Sequence, residues 1–126
     1  MADKFYRCKH CGNTFGVMVD GGVTPICCGE PMVEIKANST EAAVEKHIPE
    51  VTVDGNKVEV VVGSVLHPMT PEHWIDWVLV ATNKGRHRIV LQPGEEPKVT
   101  VTLADEEKVA RVYAHCNLHG LWVKEL

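Results

Sequence analysis

The sequence predicts an all-β protein in two parts: a small metal-binding module over residues 1–36, then an antiparallel β-sandwich or barrel domain over residues 37–126. Three observations carry this. Cys8, Cys11, Cys27 and Cys28 crowd into one short N-terminal segment, while the fifth cysteine, Cys116, stands near the other end. From residue 51 onward, short runs rich in valine, isoleucine and threonine alternate with turn residues, the pattern of paired strands. The length of 126 residues suits one small module and one compact domain.

The elements follow in chain order. "CKHCG" places Cys8 and Cys11 on one tight turn, which Gly12 lets the backbone close and whose amides can point at sulfur. "PICCGEP" supplies Cys27 and Cys28, again with a glycine behind them. In the polar link "KANSTEAAVEKH", Ser39 or Thr40 caps a short helical turn over Glu41–Val44. "VTVDGNKVEVVV" reads as a hairpin about Asp54-Gly55. "HWIDWVLVAT" alternates as a strand, "NKGR" turns, "HRIVLQ" leads into the loop "PGEEP", and "KVTVTL", "KVARVYAH" and "LWVKEL" complete the set. Such strands form a sandwich or a barrel.

Composition removes several classes of function. Net charge is −4 and no basic block suggests nucleic acid. The longest apolar runs, "VEVVVGSVL" and "WIDWVLVA", are far short of a membrane span, and "MADKFYRCKH" lacks the apolar region of a secretory signal. The expectation is a soluble, cytoplasmic protein. There, five cysteines argue for metal or redox chemistry rather than disulfides, and an odd number cannot all pair.

Four thiolates at positions 8, 11, 27 and 28 suit a tetrahedral iron or zinc site. The competing readings are two disulfides, free thiols in a small core, or a thiol–disulfide motif, for which the strand–helix context is missing. Adjacent Cys27 and Cys28 cannot form a second C-x-x-C knuckle, so the site is expected to be strained. Strain offers zinc nothing but can shift the potential of a redox iron, which favours iron. So few residues bury little core, and the metal is expected to hold the module together.

The second domain offers His47, His67, His73, His87, His115 and His119 beside Cys116. His47 in "EKHIPE", His67 in "LHPM" and His73 in "TPEHW" lie at turns or strand ends flanked by proline. Thr70 and Pro71 favour a short turn before His73. With Cys116 and His119 spaced C-x-x-H, these three can converge on one rim of the sandwich. Each histidine alone is more often an ordinary surface or hydrogen-bonded residue.

Taken together, "CxxCG…CCGEPM", "EKHIP", "HPM…EHWI" and "CNLHG" resemble the desulfoferrodoxins, the two-domain superoxide reductases, over essentially the whole chain and in the family's order. The resemblance implies a desulforedoxin-like module, with a rubredoxin-type iron in Cys8, Cys11, Cys27 and Cys28. It implies an immunoglobulin-like β-sandwich holding a second non-haem iron through His47, His67, His73 and His119, with Cys116 axial. Glu45 and Lys46 match the family's mobile acidic and basic pair beside the open iron face. Where the family often carries an aromatic residue before this cysteine, the chain has His115. On an extended strand His115 should point away from Cys116 and is read as a non-ligand, with an exchange of roles between His115 and His119 left open. His87 has no matching motif and is assigned to a solvated strand, and His10 to an exposed turn.

The implied activity is one-electron reduction of superoxide to hydrogen peroxide, with an external donor restoring ferrous iron. Imidazoles suit ferrous iron, and a thiolate pushes electron density onto it. A cation such as Lys46 attracts the anionic substrate, whereas Glu45 matches a carboxylate that caps the site once product leaves. The expected partners are a rubredoxin-like or other small electron donor and a second copy of the chain. The competing functions are a rubredoxin-like electron carrier without superoxide chemistry, a cupredoxin, and a structural zinc protein. Copper is disfavoured because "GLWVKEL" after His119 holds no methionine.

Overall fold

The computed structural model describes residues 3–40, 42 and 44–126. It divides into two compact units, Met1–Lys36 and Ala37–Leu126. In the first, strand β1 (Phe5–Arg7) is the centre of a three-stranded antiparallel sheet, flanked by β2 (Thr14–Gly16) and β5 (Val33–Ile35). A separate hairpin pairs β3 (Ile26–Cys27) with β4 (Glu30–Pro31). Its two turn residues, Cys28 and Gly29, have φ of 53° and 75°. Right-handed strand twist favours a turn with two left-handed residues, which suits Gly29 and strains Cys28. The adjacent cysteines thus carry backbone strain at Cys28.

The second unit is a sandwich of two antiparallel sheets. One orders its strands β10 (Lys98–Thr102), β7 (Lys57–Val62) and β6 (Pro49–Asp54). The other orders β12 (Gly120–Glu125), β11 (Val109–Cys116), β8 (Ile75–Thr82) and β9 (Arg86–Val90). Alternate residues of the facing strands make the core: Val58, Val60 and Val62 with Val99 and Val101, against Val78 and Val80 with Val112 and Ala114. Period-two burial is what puts these valines on one face. Cys116 continues the inward row of β11 and belongs to the core cluster. The sandwich thus delivers a thiol to the end of its own interior.

One local expectation needs correction, and another falls partly outside the described residues. Strand β8 does not alternate in burial: Leu79 and Ala81 are buried as well as Val78 and Val80, in a strand that lies inside its sheet between β11 and β9. The helical turn expected over Glu41–Val44 falls partly on Glu41 and Ala43, outside the described residues. The helix that is described, α1 (Val44–His47), lies further on, closes with an Ile48 N–H to Val44 carbonyl bond of 3.0 Å, and stops where Pro49 begins β6.

Candidate metal centres

In the first unit the four cysteine sulfurs lie within 4.8 Å of one another. The Cys8–Gly12 turn closes through a Gly12 N–H to Cys8 carbonyl bond of 2.9 Å, with Gly12 at φ 79°. The amide of Cys11 points at Cys8 Sγ and that of Asn13 at Cys11 Sγ, both at 3.5 Å. The Cys11 amide pulls the Cys8 thiol down to about 6, while hydrogen bonding with Cys11, Cys8 and Cys27 pushes Cys28 up to about 12. Four thiols so close cannot all ionise without a cation between them, and a donor set of four sulfurs fits tetrahedral iron or zinc. The His10 side chain is exposed and bonds Glu30 at 3.1 Å, while its backbone amide helps to lower the Cys8 thiol.

The second centre is assembled from separate strand ends. His47 closes α1, His67 and His73 lie between β7 and β8, Cys116 ends β11, and His119 sits in the turn to β12. The ligand atoms of His47, His67, His73 and Cys116 lie within 4.8 Å of one another. His119 adjoins them, its Nδ1 lying 3.2 Å from His47 Nε2 and 3.9 Å from Cys116 Sγ. The four imidazoles form a near-square. Successive ring centroids, His47–His67–His73–His119 and back, are 4.6, 4.6, 5.0 and 5.0 Å apart, and the His47–His73 diagonal is 6.4 Å. Every side of the square is edge-to-face, at 74° to 89°. His47, His67 and Cys116 are buried, whereas His73 and His119 are half-buried.

The polar accounting of this square calls for a cation. His73 Nε2 is buried with no hydrogen-bond partner. His67 Nε2 faces His47 Nε2 at 3.1 Å, so two ring nitrogens are spent on each other. Buried polar atoms are rarely left so poorly satisfied. Burial holds the His67 imidazole down at about 4 and lowers His73 as well, so both rings are neutral and able to donate a lone pair near pH 7. Burial raises the Cys116 thiol, against the opposing pull of the Leu118 and His119 amides, so metal binding there must displace a proton.

Several side chains brace the square, and none of them was singled out from the sequence for that role. Asn117 ties the two ligand loops together. Its Oδ1 accepts the Trp74 amide at 2.9 Å, its Nδ2 donates to the Glu72 carbonyl at 3.0 Å, and its own amide donates to the Trp74 carbonyl at 3.2 Å. The residues on both sides of His73 are thus fixed to the residue after Cys116. Trp122 stacks on His47, at 4.9 Å and 27°, and donates from Nε1 to the His119 carbonyl at 3.1 Å. His67 Nδ1 bonds the Pro68 carbonyl at 2.7 Å, which aims Nε2 at the square. Thr70 and His73 exchange backbone bonds of 2.9 and 3.1 Å, making the turn expected there a bridge rather than a helix start.

Glu45 and Lys46 are exposed on α1, directly before His47, and the Lys46 charge contributes to lowering His73. Their backbone is latched: the Glu45 carbonyl accepts the Val65 amide at 2.9 Å and the Ser64 hydroxyl at 3.2 Å. A side chain at Gly63 would meet the Lys46 and Glu45 carbonyls at 2.7 and 2.8 Å, so only glycine fits. His87 stands apart. It is half-buried rather than solvated, its Nε2 2.9 Å from Glu107 Oε2. His115 is buried and bonded to Asp76, outside the square.

The family model described as desulfoferrodoxin matches residues 39–125, and that of the desulfoferrodoxin N-terminal domain matches residues 2–35. The chain belongs to the desulfoferrodoxin family. A desulfoferrodoxin homolog from Archaeoglobus fulgidus is 44% identical over 93% of this chain and 92% of its own length. The crystal structure of the superoxide reductase from Treponema pallidum superposes with a TM-score of 0.85 at 38% identity, over 98% of each chain. The superoxide reductase of Giardia intestinalis, described as a 1Fe-SOR, is 33% identical with a TM-score of 0.52, and covers 65% of this chain and 99% of its own. An immunoglobulin-like sandwich preceded by a four-cysteine module is therefore the family architecture, and the two donor sets are consistent with its two iron sites.

Proposed function

We propose that this desulfoferrodoxin is a superoxide reductase whose second unit carries the reaction. The observation that supports this most is the square of four imidazoles beside the buried Cys116 sulfur. His47, His67, His73, His119 and Cys116 hold the catalytic iron, and Cys8, Cys11, Cys27 and Cys28 hold the other. The domain boundary follows the same division, residues 1–36 and 37–126. Held in the second unit, ferrous iron would supply the one electron that, with two protons, turns superoxide into hydrogen peroxide, and the Cys116 thiolate would favour that donation.

The chain's own groups do the rest. Neutral imidazoles donate without first losing a proton. Cys116 would lose its proton to solvent only as a metal cation takes its place on sulfur, because its surroundings disfavour a free thiolate. Lys46 draws the anion toward the exposed side and orders water there. Glu45, whose charge opposes superoxide, acts after reduction by closing the site as product leaves. A small electron-donor protein of the rubredoxin kind completes the cycle. A homodimer is supported by the apolar residues Met18, Val19, Val23 and Ile26, all strongly exposed on the small first unit. A cytoplasmic location agrees with five unpaired cysteines, since thiols persist in a reducing compartment.

Metal analysis with pulse radiolysis tests the reading. Two irons per chain, sulfur-to-iron charge-transfer bands, and hydrogen peroxide formed without oxygen are expected. A single zinc, or a reduced protein indifferent to superoxide, would overturn it.

A further inference from the structure

His115 is the buried histidine for which the proposed chemistry has no use. It precedes Cys116, yet Val112, Ala114 and Cys116 form the inward row of β11, so His115 faces the opposite side of the sheet. There its Nδ1–H donates to Asp76 Oδ1 at 2.7 Å, and its ring lies flat on Trp77, with centroids 5.3 Å apart and planes 4° apart.

The register explains what this contact holds. Along β11 and β8, Val112 pairs with Val80, Tyr113 with Leu79, Ala114 with Val78 and His115 with Trp77. The next pair in that register would be Cys116 with Asp76. Instead Cys116 pairs with Ile75, and Asp76 is left over as a bulge. Beyond the bulge, Asn117 meets Trp74 in the shifted register. The bulge therefore decides which residues of the His73 loop oppose the loop from Cys116 to His119. Without it the two ligand loops would slide by one residue, roughly 3.3 Å, and side chains would exchange faces.

We propose that Asp76 and His115 form a bulge lock that sets the register between the His73 loop and the Cys116–His119 loop, and thereby the placement of the Cys116 sulfur among the imidazoles. Both are positioning residues, and the inference rests on the metal site proposed above. The leftover residue carries the carboxylate, and the residue opposite the bulge carries its donor, so the contact exists only in the shifted register. Trp77 keeps the imidazole in the plane that makes the bond.

The test uses the full iron-loaded chain and two readouts apart from turnover: the Raman frequency of the iron–sulfur bond at the second site, and hydrogen-exchange protection of the Asn117 amide. Asp76→Ala removes the acceptor, His115→Phe keeps a ring on Trp77 but removes the donor, and Asp76→Asn keeps an acceptor without the charge. Asp76→Ala and His115→Phe should each shift the frequency and cut protection about fivefold, the scale of one ordinary hydrogen bond. The double variant should be no worse than either, and Asp76→Asn should stay close to the parent. An unshifted frequency and unchanged protection in Asp76→Ala would overturn the lock. So would an Asp76→Asn variant as impaired as Asp76→Ala, because the carboxylate charge would then be acting directly. If Asp76→Ala does not fold, a parent-like His115→Phe sinks the proposal. Should the parent itself show no iron–sulfur bond at this site, the ligand assignment fails rather than the lock.

Discussion

The two cysteine-bearing units hold their sulfurs by opposite means. In the first, the donors lie between Cys8 and Cys28 on two tight turns, and the buried cluster around them is Tyr6, Cys8 and Met32. One of the ligands is itself a third of that core. In the second, the donors are spread from His47 to His119, and a continuous valine-rich interior spanning both sheets brings them together. The first arrangement gathers donors that are near in sequence around a very small core, and is expected to need the metal to hold its fold. The second sets its donors at the end of a sandwich that has a core of its own. Left-handed backbone does not follow that division: Cys28 carries it in the first unit, and Asn38 and Glu106 carry it in the second.

The sharpest way to break this contrast is to remove both metals. Chelation should abolish the dispersed amide signals of the β1, β2 and β5 sheet, because so small a unit cannot bury enough surface to stay folded alone. The sandwich signals should persist. Heteronuclear correlation spectra of the metal-free chain decide the matter, and an intact first unit would show that its turns and sheet suffice without iron.

Next in size is Cys116→Ser. Serine is a far poorer electron donor, so the sulfur charge-transfer band of the second centre should vanish, and superoxide reduction should fall by more than about a hundredfold, beyond the usual effect of losing a ligand's outer partner. The colour of the first centre should remain, since its four sulfurs are untouched. Optical and resonance Raman spectra of the oxidised variant check both halves. A surviving sulfur signature at the second iron would remove Cys116 from its ligands.

What was legible in the sequence divides along the same line. The cysteine cluster is local and could be read from spacing alone. The hairpin expected about Asp54-Gly55 was equally local, and β6 and β7 pair there, with the turn one residue on at Gly55-Asn56. The members of the imidazole square could be collected from proline-flanked histidines and family motifs, although no single spacing implied a square. The braces could not be collected that way. Asn117 acts on residues 43 and 45 positions away, and Asp76 on one 39 away, through contacts that exist only after the strands align. Nor does any turn signal announce the bulge at Asp76. It appears only as a skipped partner between two strands.

A third and smaller effect separates the units by pH. In the metal-free sandwich the His67 imidazole is held at about 4 against an ordinary 6.5, mainly by burial. The folded state then binds fewer protons than the unfolded state between those values, so stability rises with pH there. Its share is fully present above about 6.5 and is lost progressively as pH falls toward 4. The Tm of the metal-free chain should fall across that window, and His67→Gln should flatten the slope. An equally steep decline in the variant would place the proton uptake elsewhere.

The smallest expected effect concerns the exposed side of the square. Lys46 lies where its charge is felt by His73, on a backbone latched by Val65 and Ser64. That latch fixes where the side chain starts, not where its ammonium ends. Attraction to superoxide is therefore a matter of field rather than fit, and such attraction weakens with salt. Lys46→Ala should slow the second-order reaction by less than about tenfold, the low end of electrostatic steering. The more telling sign is a flatter dependence on ionic strength, which loss of a hydrogen bond or of packing would not produce. Pulse radiolysis at several salt concentrations measures both. If rate and slope are unchanged, the preplaced donors of the second unit attract and reduce superoxide without help from this lysine.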